Sequence, residues 1–360
     1  MHDVPRTSRG DLYFAVSVAV LWLLADGDRL LYVVPVLVLT LGDAVAALVG
    51  VRYGQIRFDG HATGKSLEGS AALFVATFLS VHLPLTMAER VAPVDGLLIA
   101  ATMSVMVVLV EAAAWRGLDN VFVPVGAFLL LRAWMPEGAA MPTVNLAWRL
   151  VVIVALLGVV LWARARTTLR DAALAGAVVF ADVVWMLGGW EWVVAPAVVF
   201  LGYTRLFPAA AHEADGGEVR EHDMHAVAGV ILPALAWLFA GRALQVAPAF
   251  VPYVTTFMAQ LAMIGLVRAS AHAPGGGPAR VLATVMTGAL CVAPTLLLHR
   301  PLSQVPAAAG LALGGAVVAS IAFNRRVDGV AAGMAQEVQW TRQAWWALVA
   351  SLATLPLLLR

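Results

Sequence analysis

The sequence has few charged residues, one cysteine and one lysine, and each scarcity excludes a class of protein. Charged residues make up 12% of the 360-residue chain, against 61% hydrophobic residues and a mean hydropathy of +0.86. Soluble domains carry about a quarter charged residues, so this composition excludes a water-soluble globular enzyme. The net charge of +1 does not fit a protein that binds nucleic acid. The single cysteine, Cys291, excludes an internal disulfide, and no Cys/His spacing of a zinc site is present.

Lysine is nearly absent from the chain. Of the 23 basic residues, 22 are arginine, and Lys65 is the only lysine. Such a bias replaces lysine wherever a generic positive charge suffices. Because arginine and lysine are not interchangeable at phosphate or catalytic sites, the retained Lys65 indicates a position that needs a compact ammonium group. Chance survival of this lysine is the alternative.

Long apolar runs are abundant. A run of about 20 apolar residues spans a bilayer, and the sequence contains about 13 candidates. We therefore predict an all-α, polytopic transmembrane helix bundle of about 13 spans. The predicted spans lie near 12–25, 30–50, 68–88, 96–113, 121–135, 146–163, 172–188, 190–207, 225–242, 250–268, 281–298, 303–323 and 343–359.

Basic residues in the loops between these runs predict the orientation of the chain. Through residue 171, nine of them fall on one side of the membrane and four on the other. By the positive-inside rule, the first side is cytoplasmic. We expect an integral protein of the bacterial inner membrane with its active site at the cytoplasmic face.

The second predicted span carries an acid in an otherwise apolar helix. Asp43 lies near the inner end of this span, where a carboxylate costs about 2–3 kcal/mol and usually serves a function. Gly42, Ala46, Gly50 and Gly54 recur every four residues, so one face of the helix has no bulky side chains. This face either packs closely against another helix or lets a ligand approach the acid.

The loop that follows begins with Arg52 and Arg57 and ends in the sequence T-G-K-S-L-E-G-S at residues 63–70. A helix start rich in glycine and serine, with a lysine, is a candidate anion-binding site, because backbone N–H groups are exposed there. Glu68 lies within one turn of Lys65, so a simple ion pair between these two side chains is the alternative.

One membrane hairpin later, the chain returns to the same side with the sequence E-A-A-A-W-R-G-L-D-N. Glu111, Asp119 and Asn120 can therefore meet Asp43 and Lys65. Taken alone, Leu-Asp-Asn is typical of a helix N-cap. Acids, an amide, one lysine and two arginines at one face are together typical of a magnesium and polyphosphate site.

These motifs resemble those of the phytol kinase and dolichol kinase family, which includes CTP-dependent diacylglycerol kinases. The resemblance covers about residues 10–135. It rests on G-D-x-x-A-x-x-x-G-x-x-x-G at 42–54, K-S-L-E-G-S at 65–70 and G-L-D-N-x-x-V-P at 117–124. It implies a polytopic membrane enzyme that transfers a phosphoryl group from a nucleotide, commonly CTP, to the hydroxyl of a lipid alcohol.

The resemblance also implies roles for individual residues. Asp43, Lys65 and Glu68 are expected to be catalytic, and Asp43, Glu68 and Asp119 to bind Mg²⁺. Lys65 and Arg52 are expected to neutralise phosphate charge, and Glu68 to orient the lipid hydroxyl or accept its proton. The expected binding site for CTP or ATP comprises Gly42, Gly50, Arg52, Gly54, Gly64, Lys65, Ser66, Gly69, Ser70 and Asn120.

The chain is expected to have two parts. Residues 1–170 form the predicted membrane domain that resembles the prenol and lipid kinases, and residues 171–360 form an additional transmembrane helical domain of unknown role. Family members usually carry earlier spans, with a basic Arg-Lys segment and a nearby histidine before the Gly-Asp helix. We expect this sequence to lack them.

Two alternatives remain open. A phosphatidate cytidylyltransferase also uses CTP, but its C-terminal Lys-Asp and Pro-Gly-His-Gly-Gly signature is absent, which makes it the weaker prediction. A transporter or non-catalytic membrane protein would use Asp43 and Asp182 as relay or substrate charges, but no inverted repeat is visible.

Overall fold

The computed structural model consists of helices and the segments that join them. Within the described residues, the only extended pairings are two isolated bridges, Arg57 with Ser66 and Leu169 with His222. Helices are the expected solution in hydrocarbon, because each backbone polar group must be bonded within its own segment. The structure describes residues 10–57, 65–114, 117–135, 143–206, 222–245, 249–272, 277–299, 302–327 and 336–358.

Thirteen helices follow one another in these residues, and each overlaps one of the predicted spans. They are α1 (Gly10–Ala25), α2 (Arg29–Tyr53), α3 (Leu67–Met87), α4 (Pro93–Ala113), α5 (Asp119–Trp134), α6 (Thr143–Ala163), α7 (Asp171–Gly188), α8 (Trp190–Leu206), α9 (Met224–Ala243), α10 (Phe250–His272), α11 (Pro278–Val292), α12 (Val305–Val327) and α13 (Gln336–Leu352). Short 3₁₀ helices follow α11 at Ala293–Leu298 and α13 at Leu355–Leu357.

Nine helical stretches in the described part of the chain are long and apolar enough to cross a bilayer. They are α2, α3, α4, α6, α7, α9, α10, α11 with its 3₁₀ extension, and α12. Many large apolar side chains point outward from these helices, which suits contact with lipid tails. The prediction of an all-α, polytopic integral membrane protein is confirmed, whereas the count of about 13 spans stays a prediction.

The chain divides into two compact units. The first unit comprises residues up to 164 together with 170–179, and the second comprises residues 165–169 and 180–360. In the first unit, α3 packs between α2 and α4, and α5 contacts α1, α2 and α4. In the second unit, α10 is almost entirely buried among α9, α11, α12 and α13. The different roles predicted for residues 1–170 and 171–360 stay predictions.

Helix α2 contains one irregular stretch. Asp28 caps its first turn, because the side-chain oxygen accepts hydrogen bonds from the backbone N–H groups of Leu30 and Leu31 at 2.9 and 3.3 Å. A single π-helical turn then occupies Val38–Gly42, directly before Asp43. Such wide turns inside α-helices frequently occur at functional sites.

Helices α2 and α3 approach so closely that a side chain larger than that of glycine would be crowded at their contact. A methyl group on Gly69 would lie 3.1 Å from the carbonyl oxygen of Ala46 and 3.3 Å from Cα of Gly50. A methyl group on Gly54 would lie 2.7 Å from Oγ of Ser66. Close helix packing, one of the two interpretations of the small-residue face, therefore accounts for these glycines.

Candidate active site

Three carboxylates from three different helices meet in the first unit. They belong to Asp43 on α2, Glu111 on α4 and Asp119 on α5, and one oxygen of each lies within 4.8 Å of the others. Asp43 is exposed, and the other two residues are partly buried. In the part of the chain that the structure describes, this is the group of acidic, histidine or cysteine side chains that is compact enough to hold a metal ion.

A tight helical hairpin brings two of these acids together. Glu111 lies in the last turn of α4, and Asp119 is the first residue of α5. Gly117 lies two residues before Asp119 and has a φ of +81°. Glycine adopts this left-handed conformation without steric cost. The carboxylate of Asp119 also lies at the positive end of the α5 dipole, which stabilises its negative charge.

The single lysine lies beside the same three acids. Lys65 Nζ lies 2.8 Å from Oε1 of Glu111 and also donates to the backbone carbonyl oxygen of that residue. The side chain of Lys65 is 38% exposed, so this lysine is not sealed inside the protein. The lysine therefore pairs with Glu111 on α4, instead of with Glu68 in the first turn of α3.

A small pocket opens next to the carboxylates. Its lining combines polar side chains with apolar ones. The polar part is formed by the three acids and Asn120, and the apolar part by side chains of α2, α3 and α5. The complete lining is Val38, Leu39, Asp43, Leu73, Glu111, Asp119, Asn120 and Val123.

The charges of the described residues in this pocket do not balance. Three carboxylates and one ammonium leave a formal charge of −2 when all are ionised. Like charges at this separation repel strongly in a partly desolvated site. A divalent cation would restore neutrality, and carboxylate oxygens are the ligands that Mg²⁺ prefers. The donor set therefore fits the predicted magnesium ion.

Several of the predicted nucleotide-binding residues serve the packing of α2 against α3. The hydroxyl of Ser66 caps α3 by accepting a hydrogen bond from the backbone N–H of Gly69 at 3.2 Å, and Ser66 is buried. The backbone N–H of Ser70 donates to the carbonyl of Ser66 at 3.0 Å. A methyl group on Gly42 would meet Cδ1 of Leu73 at 3.0 Å. A nucleotide-binding role for this group, which includes Gly50, Gly54 and Gly69, stays a prediction.

The other predicted nucleotide-binding residues lie in different places. Asn120 lines the pocket, and its backbone carbonyl accepts a hydrogen bond from Ser17 at 2.6 Å. Arg52 lies in the last turn of α2 with its guanidinium 5.5 Å from the ring centre of Tyr53. Gly64 lies outside the described residues.

Glu68 does not join the acidic group. Its carboxylate accepts a hydrogen bond from the backbone N–H of Ile56, at 3.2 and 3.3 Å from its two oxygens. The metal-binding and proton-accepting roles implied for Glu68 by the resemblance stay predictions. Glu111 occupies the place beside Asp43 and Asp119 instead. The alternation of the predicted spans places Glu111 on the same side of the membrane as Asp43. The sequence gives no reason to choose Glu111 over Glu68 as the third acid.

The chain is similar to a phytol kinase from Synechocystis sp., with 33% identity over 138 residues. The matched stretch is 37% of this chain and 57% of that protein, so the chain spans a little over half the length of this relative. No family model and no solved structure matches. The similarity confirms the resemblance to the phytol kinase-like lipid kinases that the three sequence motifs predicted.

Proposed function

We propose that this protein is a membrane lipid-alcohol kinase. It transfers a phosphoryl group from a nucleotide, with CTP favoured over ATP, to the hydroxyl of a prenol such as phytol or dolichol, or of diacylglycerol. The observation that carries this proposal is the convergence of Asp43, Glu111 and Asp119 beside Lys65. The similarity to a phytol kinase supports a kinase reaction at this group of side chains.

The three carboxylates are the proposed Mg²⁺ site. When bound, Mg²⁺ supplies positive charge that neutralises the nucleotide phosphates and stabilises the leaving group. Each of the three carboxylates has two oxygens. One oxygen can bind the ion while the other accepts a proton. In this proposal, Asp43 accepts the proton of the lipid hydroxyl, because it is the exposed member of the group.

Lys65 is the proposed contact with the transferred phosphoryl group. An ammonium group has three N–H donors, and two of them point at the carboxylate and the carbonyl oxygen of Glu111. In this proposal, the third donates to a phosphate oxygen. Phosphoryl transfer depends mainly on alignment and charge neutralisation, so a lysine held in this way supplies both.

The pocket suggests how the lipid reaches the site. Val38, Leu39, Leu73 and Val123 form its apolar part. The hydrocarbon tail of the alcohol would stay among the helices and lipid tails, while the hydroxyl reaches the carboxylates. The excess of basic residues in the loops on this side supports a site at the cytoplasmic face of the bacterial inner membrane.

The direct test is a transfer assay with purified protein in detergent and Mg²⁺. We would supply CTP or ATP labelled at the γ or the α phosphate, with phytol, farnesol, geranylgeraniol, dolichol and diacylglycerol as acceptors. We expect γ label on one of the lipids. Label from the α position on lipid would instead show a cytidylyltransferase, and substrate uptake into vesicles without labelling would show a transporter.

Asp43→Asn is the critical variant in this assay, and Asp95→Asn is its matched control. Asp95 is also an acid of the first unit, but it lies in the first turn of α4, whereas Glu111 lies in the last turn of that helix. We expect Asp43→Asn to abolish transfer and Asp95→Asn to retain it. Full activity of Asp43→Asn would remove this acid from the proposed site.

A further inference from the structure

The side chain of Glu68 connects the two ends of the segment that joins α2 to α3. Its carboxylate accepts a hydrogen bond from the backbone N–H of Ile56. The carbonyl of Ile56 accepts a hydrogen bond from the backbone N–H of Leu67 at 2.8 Å. Both backbone polar groups of Ile56 are therefore bonded to the first turn of α3.

The same contacts determine the position from which Lys65 extends. Arg57 and Ser66 form an antiparallel bridge, and Ser66 also caps α3 through its hydroxyl. Lys65 immediately precedes this residue, and its ammonium reaches Glu111 on α4. The backbone directly after Lys65 is thus held by the bridge and by the helix cap, and the Glu68 carboxylate holds Ile56 beside this bridge.

We propose that Glu68 is a positioning residue, which holds Ile56 against α3 and thereby directs Lys65 at the acidic site. This inference rests on the proposed kinase function, in which Lys65 contacts the transferred phosphoryl group. It gives Glu68 a role different from that of a metal ligand or proton acceptor. The geometry favours this role, because both oxygens of Glu68 lie near the Ile56 nitrogen and neither belongs to the three-acid group.

Two substitutions separate positioning from direct chemistry. Glu68→Gln keeps an oxygen that accepts the Ile56 hydrogen bond, whereas Glu68→Ala removes it. Small displacements of a catalytic group cost about 10- to 100-fold in rate, so we expect a loss of this size in kcat for Glu68→Ala. Glu68→Gln should stay within about threefold of the wild type, because a neutral acceptor retains most of the bond. A metal ligand or general base would lose activity in both variants.

A double-mutant cycle tests whether Glu68 acts through Lys65. In a Lys65→Met background, the group that Glu68 positions is gone, so Glu68→Ala should cause no further loss. Losses that multiply would show that Glu68 acts independently of Lys65. That result, or a Glu68→Gln variant as inactive as Glu68→Ala, would overturn the proposal.

Hydrogen exchange supplies a readout that does not depend on activity. Removing the acceptor should expose the Ile56 amide, so we expect its exchange in Glu68→Ala to be at least about tenfold faster, with Glu68→Gln close to the wild type. Unchanged exchange in Glu68→Ala would refute the positioning contact itself. If the wild type transferred no phosphate to any lipid, the proposed kinase function would fail, and the exchange experiment would still decide whether Glu68 holds Ile56.

Discussion

The two ends of the first unit differ in how their charged side chains are balanced. At one end, Arg90 donates to Asp28 at 2.8 Å, and the same carboxylate caps α2. At the other end, about 20 Å further along α2, three acids share one lysine. The first group is a balanced pair, and the second has an excess of two negative charges.

This difference distinguishes a charge that serves the packing of the protein from the group to which we assign a function. The oxygens of Asp28 are bonded to a guanidinium and to two backbone N–H groups, so nothing from outside the chain is required there. In the part of the chain that the structure describes, Lys65 is the cation paired with the group around Asp43, and one ammonium is too little positive charge to stabilise three ionised carboxylates. The stability and the chemistry of this group are therefore expected to depend on a cation and a nucleotide that the solution supplies.

The largest effect should come from removing one charge of the acidic group. Asp119→Asn keeps the shape of the side chain but weakens the proposed metal site, so transfer should fall about 100-fold or more. The measurement is the labelled-phosphate assay over a range of Mg²⁺ concentrations. Asp95→Asn is again the control, and equal activity of the two variants would contradict the functional contrast between the two ends.

A somewhat smaller loss should follow from Lys65→Arg. The guanidinium is planar and wider than an ammonium, so it cannot place donors on the Glu111 carboxylate and carbonyl and on a phosphate in the same way. We expect kcat/KM to fall at least about tenfold, with expression in the membrane unchanged. Wild-type turnover by the Lys65→Arg variant would show that only the positive charge matters at this end.

A substitution in the contact between α2 and α3 tests whether their close packing is needed to bring the charged side chains of the site together. Gly69→Ala would place a methyl group 3.1 Å from the carbonyl oxygen of Ala46, and overpacking of this kind costs about 1–3 kcal/mol. We expect a lower melting temperature and reduced transfer. Gly126→Ala on α5 is the matched control, because a methyl group there meets no atom within 4 Å. Equal melting temperatures for the two variants would refute the close contact.

The smallest effect should appear at the balanced end. Burial raises the pKa of Asp28, but the hydrogen bond from Arg90 and those from the amides of Leu31 and Leu30 outweigh it, so the pKa lies below its ordinary value. The resulting stabilisation is complete above the pKa of an unfolded aspartate and is lost as pH falls through the lowered pKa.

Asp28→Asn keeps an oxygen for the helix cap and removes only the charge. Because the pair is partly exposed, we expect a difference in unfolding free energy of about 0–1 kcal/mol at neutral pH. The difference should shrink in melting curves recorded below about pH 4. A difference that stayed constant across this range would show that the charge of Asp28 is not involved.

The helices could be predicted from the sequence because apolar runs long enough to span a bilayer have few other stable conformations. Each of the thirteen predicted runs overlaps a helix in the described residues. The wide turn at Val38–Gly42 could not be predicted, because it changes the hydrogen-bond pattern without changing the hydropathy of the run. Which runs cross the membrane also depends on their length, and α1 is shorter than the nine stretches that qualify.

The site was predictable in part for a similar reason. Alternation of the spans places Asp43, Lys65 and Asp119 on one face, and the structure brings all three to the same pocket region. The choice between Glu68 and Glu111 depends on where each side chain points, which spacing along the chain does not determine. Glu68 turns toward Ile56, and Glu111 faces the other acids across the bundle.

The π-turn of α2 also has a consequence for how the site tolerates insertions and deletions. Deleting one residue within Val38–Gly42 would let the wide turn close into a regular helix. The two halves of α2 would keep nearly the same relative orientation, because a turn with i→i+5 hydrogen bonds already takes up one residue more than a turn with i→i+4 bonds. The same deletion in the regular part of α2 would instead rotate the following residues by about 100°. The wide turn is therefore the place in α2 where one lost codon would disturb the site least.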